Sequence, residues 1–183
     1  MRGEIARQRA YVTNEHATGN VLVQRHQATH LQRLRRTPEG VFHVVQDPRE
    51  APHAVLVLPR VPALGAQWTI ESELRLVESR TFAAEDRLLG RRLPLILTAR
   101  IEAMDARVRT PAGEFTDCVH VTYEGTRKVP ADRGTLLVDV TVRHAAWYAP
   151  GIGLVRMERH ETTDSTFLRD GHYTQALLAY GIP

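Results

Sequence analysis

The sequence predicts an all-β fold, an antiparallel meander or a curved sheet or sandwich of about 8–10 strands, with at most short helical turns. Three observations predict it. Apolar residues recur with period two in segment after segment, as on a strand with one buried and one wet face. Turn signals built from Gly and Pro recur roughly every ten to twenty residues, the spacing of a meander or sandwich. Most segments lack the 3.6-residue period of an amphipathic helix.

Taken in order, Val21 to Arg36 accommodates either a helix with Val23, Gln27, His30, Leu31 and Leu34 on one side or a long strand, and its β-branched start favours the strand. Pro38-Glu39-Gly40 is a turn between Leu34 and Val41. Trp68, Ile70, Ser72, Leu74 and Leu76 alternate with Thr69, Glu71, Glu73 and Arg75, a half-buried strand. Thr81 to Arg92 shows no alternation and reads as a helical turn or an excursion between strands. Leu95, Leu97, Ala99, Ile101 and Ala103 alternate with Ile96, Thr98, Arg100 and Glu102. Thr110-Pro111-Ala112-Gly113 places Pro where φ near −65° is wanted and Gly where positive φ is easiest, which predicts a hairpin. Val119, Val121 and Tyr123 oppose Cys118, His120 and Thr122. Asp132-Arg133-Gly134 is a further turn, after which Leu136, Val138, Val140 and Val142 face away from Asp139, Thr141 and Arg143. Ala149-Pro150-Gly151 and Arg169-Asp170-Gly171 supply the last turns. Tyr173 to Tyr180 reads as a final strand or a short amphipathic helix.

A hydrophobic share of 43% excludes a disordered chain, and 183 residues can bury roughly 70% of the surface exposed on unfolding. Without a fixed-period repeat, low-complexity tract or Gly/Ser-rich linker, residues 1–183 are expected to form a single β-rich domain. The most apolar runs, Ala54 to Leu58 and Leu93 to Leu97, are far shorter than the ~18 residues of a membrane-spanning helix. The lone Cys118 excludes an internal disulfide, a four-thiolate zinc site and a CxxC redox motif. Met1-Arg2-Gly3-Glu4 runs straight into polar sequence with no leader pattern, so the chain is expected to be cytoplasmic or a mature form whose leader was removed. The net charge of +3 is too small to argue for nucleic acid, although the pI is near 9.4.

Three segments carry a family pattern. They are Leu58-Pro59 through Gly65-Ala66-Gln67-Trp68, then Val108-Arg109-Thr110-Pro111-Ala112-Gly113-Glu114-Phe115-Thr116-Asp117-Cys118, and then Trp147-Tyr148-Ala149-Pro150-Gly151-Ile152-Gly153-Leu154-Val155-Arg156. Together they resemble the TapB-like domain of unknown function of bacterial envelope proteins and lipoproteins, most strongly over residues 58–183. The resemblance implies an all-β domain in the periplasm or cell envelope with no defined biochemical role. The physical content of the motifs is architectural, because turn glycines and aromatic residues supply no acid, base or nucleophile.

Chemistry elsewhere is thin. His26 and His30 on one strand would lie about 13 Å apart, too far to share an ion. His120, His144 and His160 fall on separate strands and would converge only by favourable register, so no metal site and no cofactor is expected. Gln24 to Arg36 carries Arg25, Arg33, Arg35 and Arg36 with no acid, a conceivable polyanion surface that lacks aromatic stacking residues. Glu71 with Glu73, Glu85 with Asp86, and Glu158 with Glu161 read as solvated carboxylates, poor general acids at neutral pH. Cys118 sits where burial would raise its pKa, and no GxSxG, GxGxxG or phosphate-loop pattern occurs.

The expectation is therefore a non-catalytic binding or scaffold module of the bacterial envelope. Trp68, Tyr123, Trp147 and Tyr148 would wall an apolar pocket for a small molecule or a partner protein. The alternatives are a cytoplasmic nucleic-acid or polyanion binder using the Arg25–Arg36 face, and an uncharacterised hydrolase.

Overall fold

The computed structural model describes residues 7–13, 21–26, 30–45, 53–75, 77–79, 93–131 and 136–180, and among these every regular element is a strand. The strands are β1 (Arg7–Thr13), β2 (Val21–His26), β3 (His30–Arg36), β4 (Gly40–Val45), β5 (His53–Pro59), β6 (Gln67–Leu74), β7 (Glu78–Ser79), β8 (Leu93–Thr110), β9 (Gly113–Ala131), β10 (Leu136–Ala149), β11 (Gly153–Thr163), β12 (Leu168–Arg169) and β13 (Gly171–Tyr180). Eleven of them form one sheet in the order β5-β4-β3-β2-β1-β13-β11-β10-β9-β8-β6, while β7 and β12 pair separately.

This order is an up-and-down circuit opened at one point. Every neighbouring pair in the large sheet is antiparallel except β1 with β13, which are parallel. The parallel pair follows from parity: in an alternating circuit of 11 strands, the first and last must run the same way. The two edge strands, β5 and β6, are consecutive in the chain, and they meet where the Trp68 indole N–H donates to the Leu56 carbonyl at 3.0 Å. The sheet is thus rolled on itself, with a seam closed by a side chain rather than a ladder. Leu34 and Val57, from one half, pack in the same core as Leu95, Leu97, Ala99, Ile101, Val121, Val140 and Val142 from the other.

The alternation read from the sequence positions this core. Leu95, Leu97, Ala99 and Ile101 are buried between exposed neighbours, and Val138, Val140 and Val142 between exposed or half-buried ones. The segment Val21 to Arg36 is extended, but as two strands, β2 and β3, so His26 and His30 stand opposite each other in the ladder instead of about 13 Å apart along one strand. That split, together with β1 and β5, takes the strand number past the expected eight to ten. Tyr173 to Tyr180 lies in β13, as a strand. The segment Thr81 to Arg92 and the turn Asp132-Arg133-Gly134 lie outside the described residues.

Turn chemistry acts where it was read at Pro38–Gly40, Thr110–Gly113 and Ala149–Gly151, but Arg169-Asp170-Gly171 is no turn: it is the step from β12 to β13, and the chain turns earlier, at Thr166–Phe167. Gly40, Gly113, Gly151 and Gly153 all have positive φ, the last at 92° beside the bulge that follows Trp147. The expected alternation of Cys118 with Val121 holds although both are fully buried, because each face carries a core: Val121 lies in the first cluster, with Val119 packed against it, and Cys118 lies in a second. Register shifts between Ile101 and Val108, with Asp117 at φ 56°, bring Val108 and Phe115 to the face of Cys118, where they join Ala149, Val155 and Leu177 in that second cluster.

Candidate functional site

The inner wall brings three of the four expected aromatic residues to one side and leaves out the fourth. Tyr123 and Tyr148 are buried with hydroxyls 3.4 Å apart, and Trp68 is on the same wall, across the ladder from Ala99, itself paired with Tyr123. Trp147 is adjacent to Tyr148 in the chain and so faces outward, where it pairs with His120 and Arg156. The four residues therefore do not form one pocket wall. The inner side is packed, and its hydroxyls are paired with each other.

Between Tyr123 and β11 the inner wall becomes polar. His144 meets the Tyr123 ring edge-on at 4.7 Å and lies opposite Arg159 in the ladder. Glu161 has no exposed surface. Its carboxylate accepts the backbone N–H of Arg75 at 3.0 and 3.1 Å, that of Val77 at 3.2 Å, and the Arg159 Nε–H at 2.8 Å. Arg159 also donates to the Ser72 hydroxyl at 3.3 Å and to the Glu73 carbonyl. A buried ion pair thus holds the chain leaving β6 against β11, with the donors needed to offset its desolvation.

Sequence reading missed this pair and took Glu161 for a solvated carboxylate. Both faces of Met157–Thr163 carry charge, Arg159 and Glu161 on one and Glu158 and His160 on the other, so alternation gave no sign of which was inside.

Burial sets the protonation states here. It pushes the Tyr148 hydroxyl up to about 12, and raises Tyr123 well above the ordinary tyrosine value with help from its neighbour Tyr148. Burial, reinforced by the cations Arg159 and Arg75, holds His144 down at about 3, so it is neutral at physiological pH. Burial likewise raises the Cys118 thiol.

The outer face of the same strands is ordered in rows set by register. One row is His120, Trp147 and Arg156: the imidazole stacks on the indole at 4.5 Å with planes 1° apart, and the guanidinium sits 5.6 Å from the indole centroid. The next row is Thr122, Ala145, Glu158 and Thr174. The third is Glu124, Arg143, His160 and His172. Small side chains at Thr122 and Ala145 leave a depression of about 290 Å³, lined also by Glu124, Arg143, Glu158 and His160. Its charges are paired, Arg143 with Glu124 at 3.1 Å and Arg156 with Glu158.

The other candidates are dispersed. His120 and His160 are outward on β9 and β11 with β10 between them, and His144 is on the inner wall, so the three do not converge. Among the described residues no group of three His, Cys, Asp or Glu side chains is placed to hold a metal ion. Arg33 and Arg35 fall on one face of β3 and Arg36 on the other, which divides the Arg25–Arg36 stretch instead of making one cationic face. Glu85 and Asp86 lie outside the described residues. Among the described residues no helix is long and apolar enough to cross a membrane.

Comparison with known families places one match on this region. Residues 96–167, from β8 through β11 to the residue before β12, match the DUF3108-like family, a domain of unknown function. The match spans the hairpin motif at 108–118, the motif at 147–156 and the outer-face depression. No curated protein and no solved structure gives a significant match to the chain.

Proposed function

We propose that the protein is a non-catalytic binding module that holds a small amphiphilic molecule on the outer face of β9, β10 and β11. The observation that carries this reading is the recess of about 290 Å³ over Thr122 and Ala145, flanked by taller rows of residues on either side. Its floor offers apolar contact at Ala145, and its rim offers donors and acceptors from Arg143, His160, Glu124 and Glu158, the mixture that orients an amphiphile. Binding fits the chemistry better than catalysis. The buried tyrosines and His144 have been moved away from neutral pKa values, and Glu161 is committed to structural donors, so none is poised for proton transfer. The envelope setting implied by the TapB-like resemblance belongs to the same proposal and is tested by fractionating cells that express the gene.

The recess is tested by titrating an anionic aromatic dye and a fatty acid into wild type and Ala145→Trp at low and high salt. Ala145 is on the outer face, so the larger side chain fills the recess without entering the core. Binding that survives high salt and weakens at least about tenfold in the variant supports the reading, since apolar burial is not screened. Equal binding by both proteins, or none by either, overturns it.

A further inference from the structure

The third outer row ends in two histidines that no reading of the sequence paired. β11 and β13 are antiparallel, and their register sets His160 directly opposite His172. The rings are stacked, with centroids 4.0 Å apart and planes 16° apart, and both residues are exposed. Opposed positions on adjacent strands keep two side chains on one face of the sheet, and modest rotation about the side-chain torsions lets both ring nitrogens turn toward one point above it. Neutral imidazole is the preferred ligand of late first-row divalent cations, and water completes the coordination where the protein supplies only two donors.

We propose that His160 and His172 form a two-imidazole site for a divalent transition cation of the copper, nickel and zinc class. The surrounding charges permit it. Arg143, the cation next to His160 in the row, is paired with Glu124, and Arg156, the next cation along β11 on this face, is paired with Glu158, so neither cation faces the pair uncompensated. The expectation of no metal site weighed His120, His144 and His160, which do not converge; the partner of His160 is the residue across the ladder on β13. The site is independent of any ligand in the neighbouring recess.

The test is calorimetric titration of Ni²⁺ into the full chain at pH 7.5, with His160→Ala, His172→Ala and the control His53→Ala, an exposed histidine opposite Val45, each checked for folding by circular dichroism. The expected result is one equivalent bound at roughly micromolar to tens of micromolar affinity. Either outer-row substitution should weaken it at least about tenfold, and His53→Ala should leave it unchanged. Because the ion would bind only where β11 and β13 are paired, nickel at about a hundred times its Kd should raise the wild-type Tm by roughly 5 to 10 °C and leave His160→Ala unmoved. Cu²⁺ bound in the same place should show two nitrogen ligands by electron paramagnetic resonance, and one in either variant. Binding weaker than about millimolar, binding that survives either outer-row substitution, or binding lost on His53→Ala would overturn the proposal.

Discussion

The indole N–H of Trp68 donates to the carbonyl of Leu56 at 3.0 Å, joining the two edges of a sheet that is otherwise held by ladders. An unpaired edge is a template for association with other chains, and here the two edges are turned toward each other. Trp68→Phe keeps most of the apolar contact but leaves the carbonyl without this donor. The expected cost is about 1 to 2 kcal/mol in urea denaturation, and a greater tendency to self-associate on gentle heating should accompany it in light scattering.

Glu161 anchors the chain beyond β6 through its bonds to Arg75, Val77 and Arg159. Removing the carboxylate in Glu161→Ala strands a buried guanidinium and two backbone donors, and is expected to destabilise the fold by about 3 to 5 kcal/mol. Glu161→Gln, which keeps an acceptor but not the charge, should fall between the variant and wild type. Equal stability of all three proteins in denaturant melts would show that the buried pair is dispensable.

His144 makes stability depend on pH. Its pKa falls from an ordinary 6.5 to about 3 in the folded protein, so between these values the unfolded chain takes up a proton that the folded one refuses. Stability from this residue is complete above pH 6.5 and is lost as pH falls toward 3. From pH 7 to pH 5 wild type should lose about 1 to 2 kcal/mol more than His144→Asn, the lower figure allowing for the partly accessible ring. Parallel losses in the two proteins would contradict this account.

Gly40 and Gly151 should respond differently to the same substitution. A Cβ at Gly40 would lie 2.3 Å from the Leu58 carbonyl oxygen and 3.1 Å from the Pro59 Cα, both backbone atoms, whereas nothing lies within 4 Å of one at Gly151. Gly40→Ala is expected to cost about 3 kcal/mol or more, since β4 and β5 must separate. Gly151→Ala should cost about 1 kcal/mol, the strain of its positive φ alone. Thermal melts of the two variants decide the comparison.

Much of the candidate site was hidden for reasons that particular residues make plain. Thr122, Ala145 and Glu158 belong to β9, β10 and β11, and only pairing across two ladders makes them neighbours. Trp147 and Tyr148 were legible as strand aromatics, but adjacent residues of a strand face opposite ways, so they could not share a wall. Cys118 was legible as opposite Val121, while the second core that covers its face was not, because the bulges that bring Val108 and Phe115 to it leave no distinctive composition.

By itself the sequence determined that this chain is a sheet protein with hairpins at Thr110–Gly113 and Ala149–Gly153, since period-two alternation and turn dihedrals are local properties of the backbone. Tertiary structure alone decided that 11 strands close into a circuit with a parallel junction and a Trp68 seam. It alone decided that Glu161 is inside and that His160 meets His172. Those outcomes depend on register, which is set by bulges and by packing between residues far apart in the chain, and a one-residue change in register exchanges the two faces of a strand.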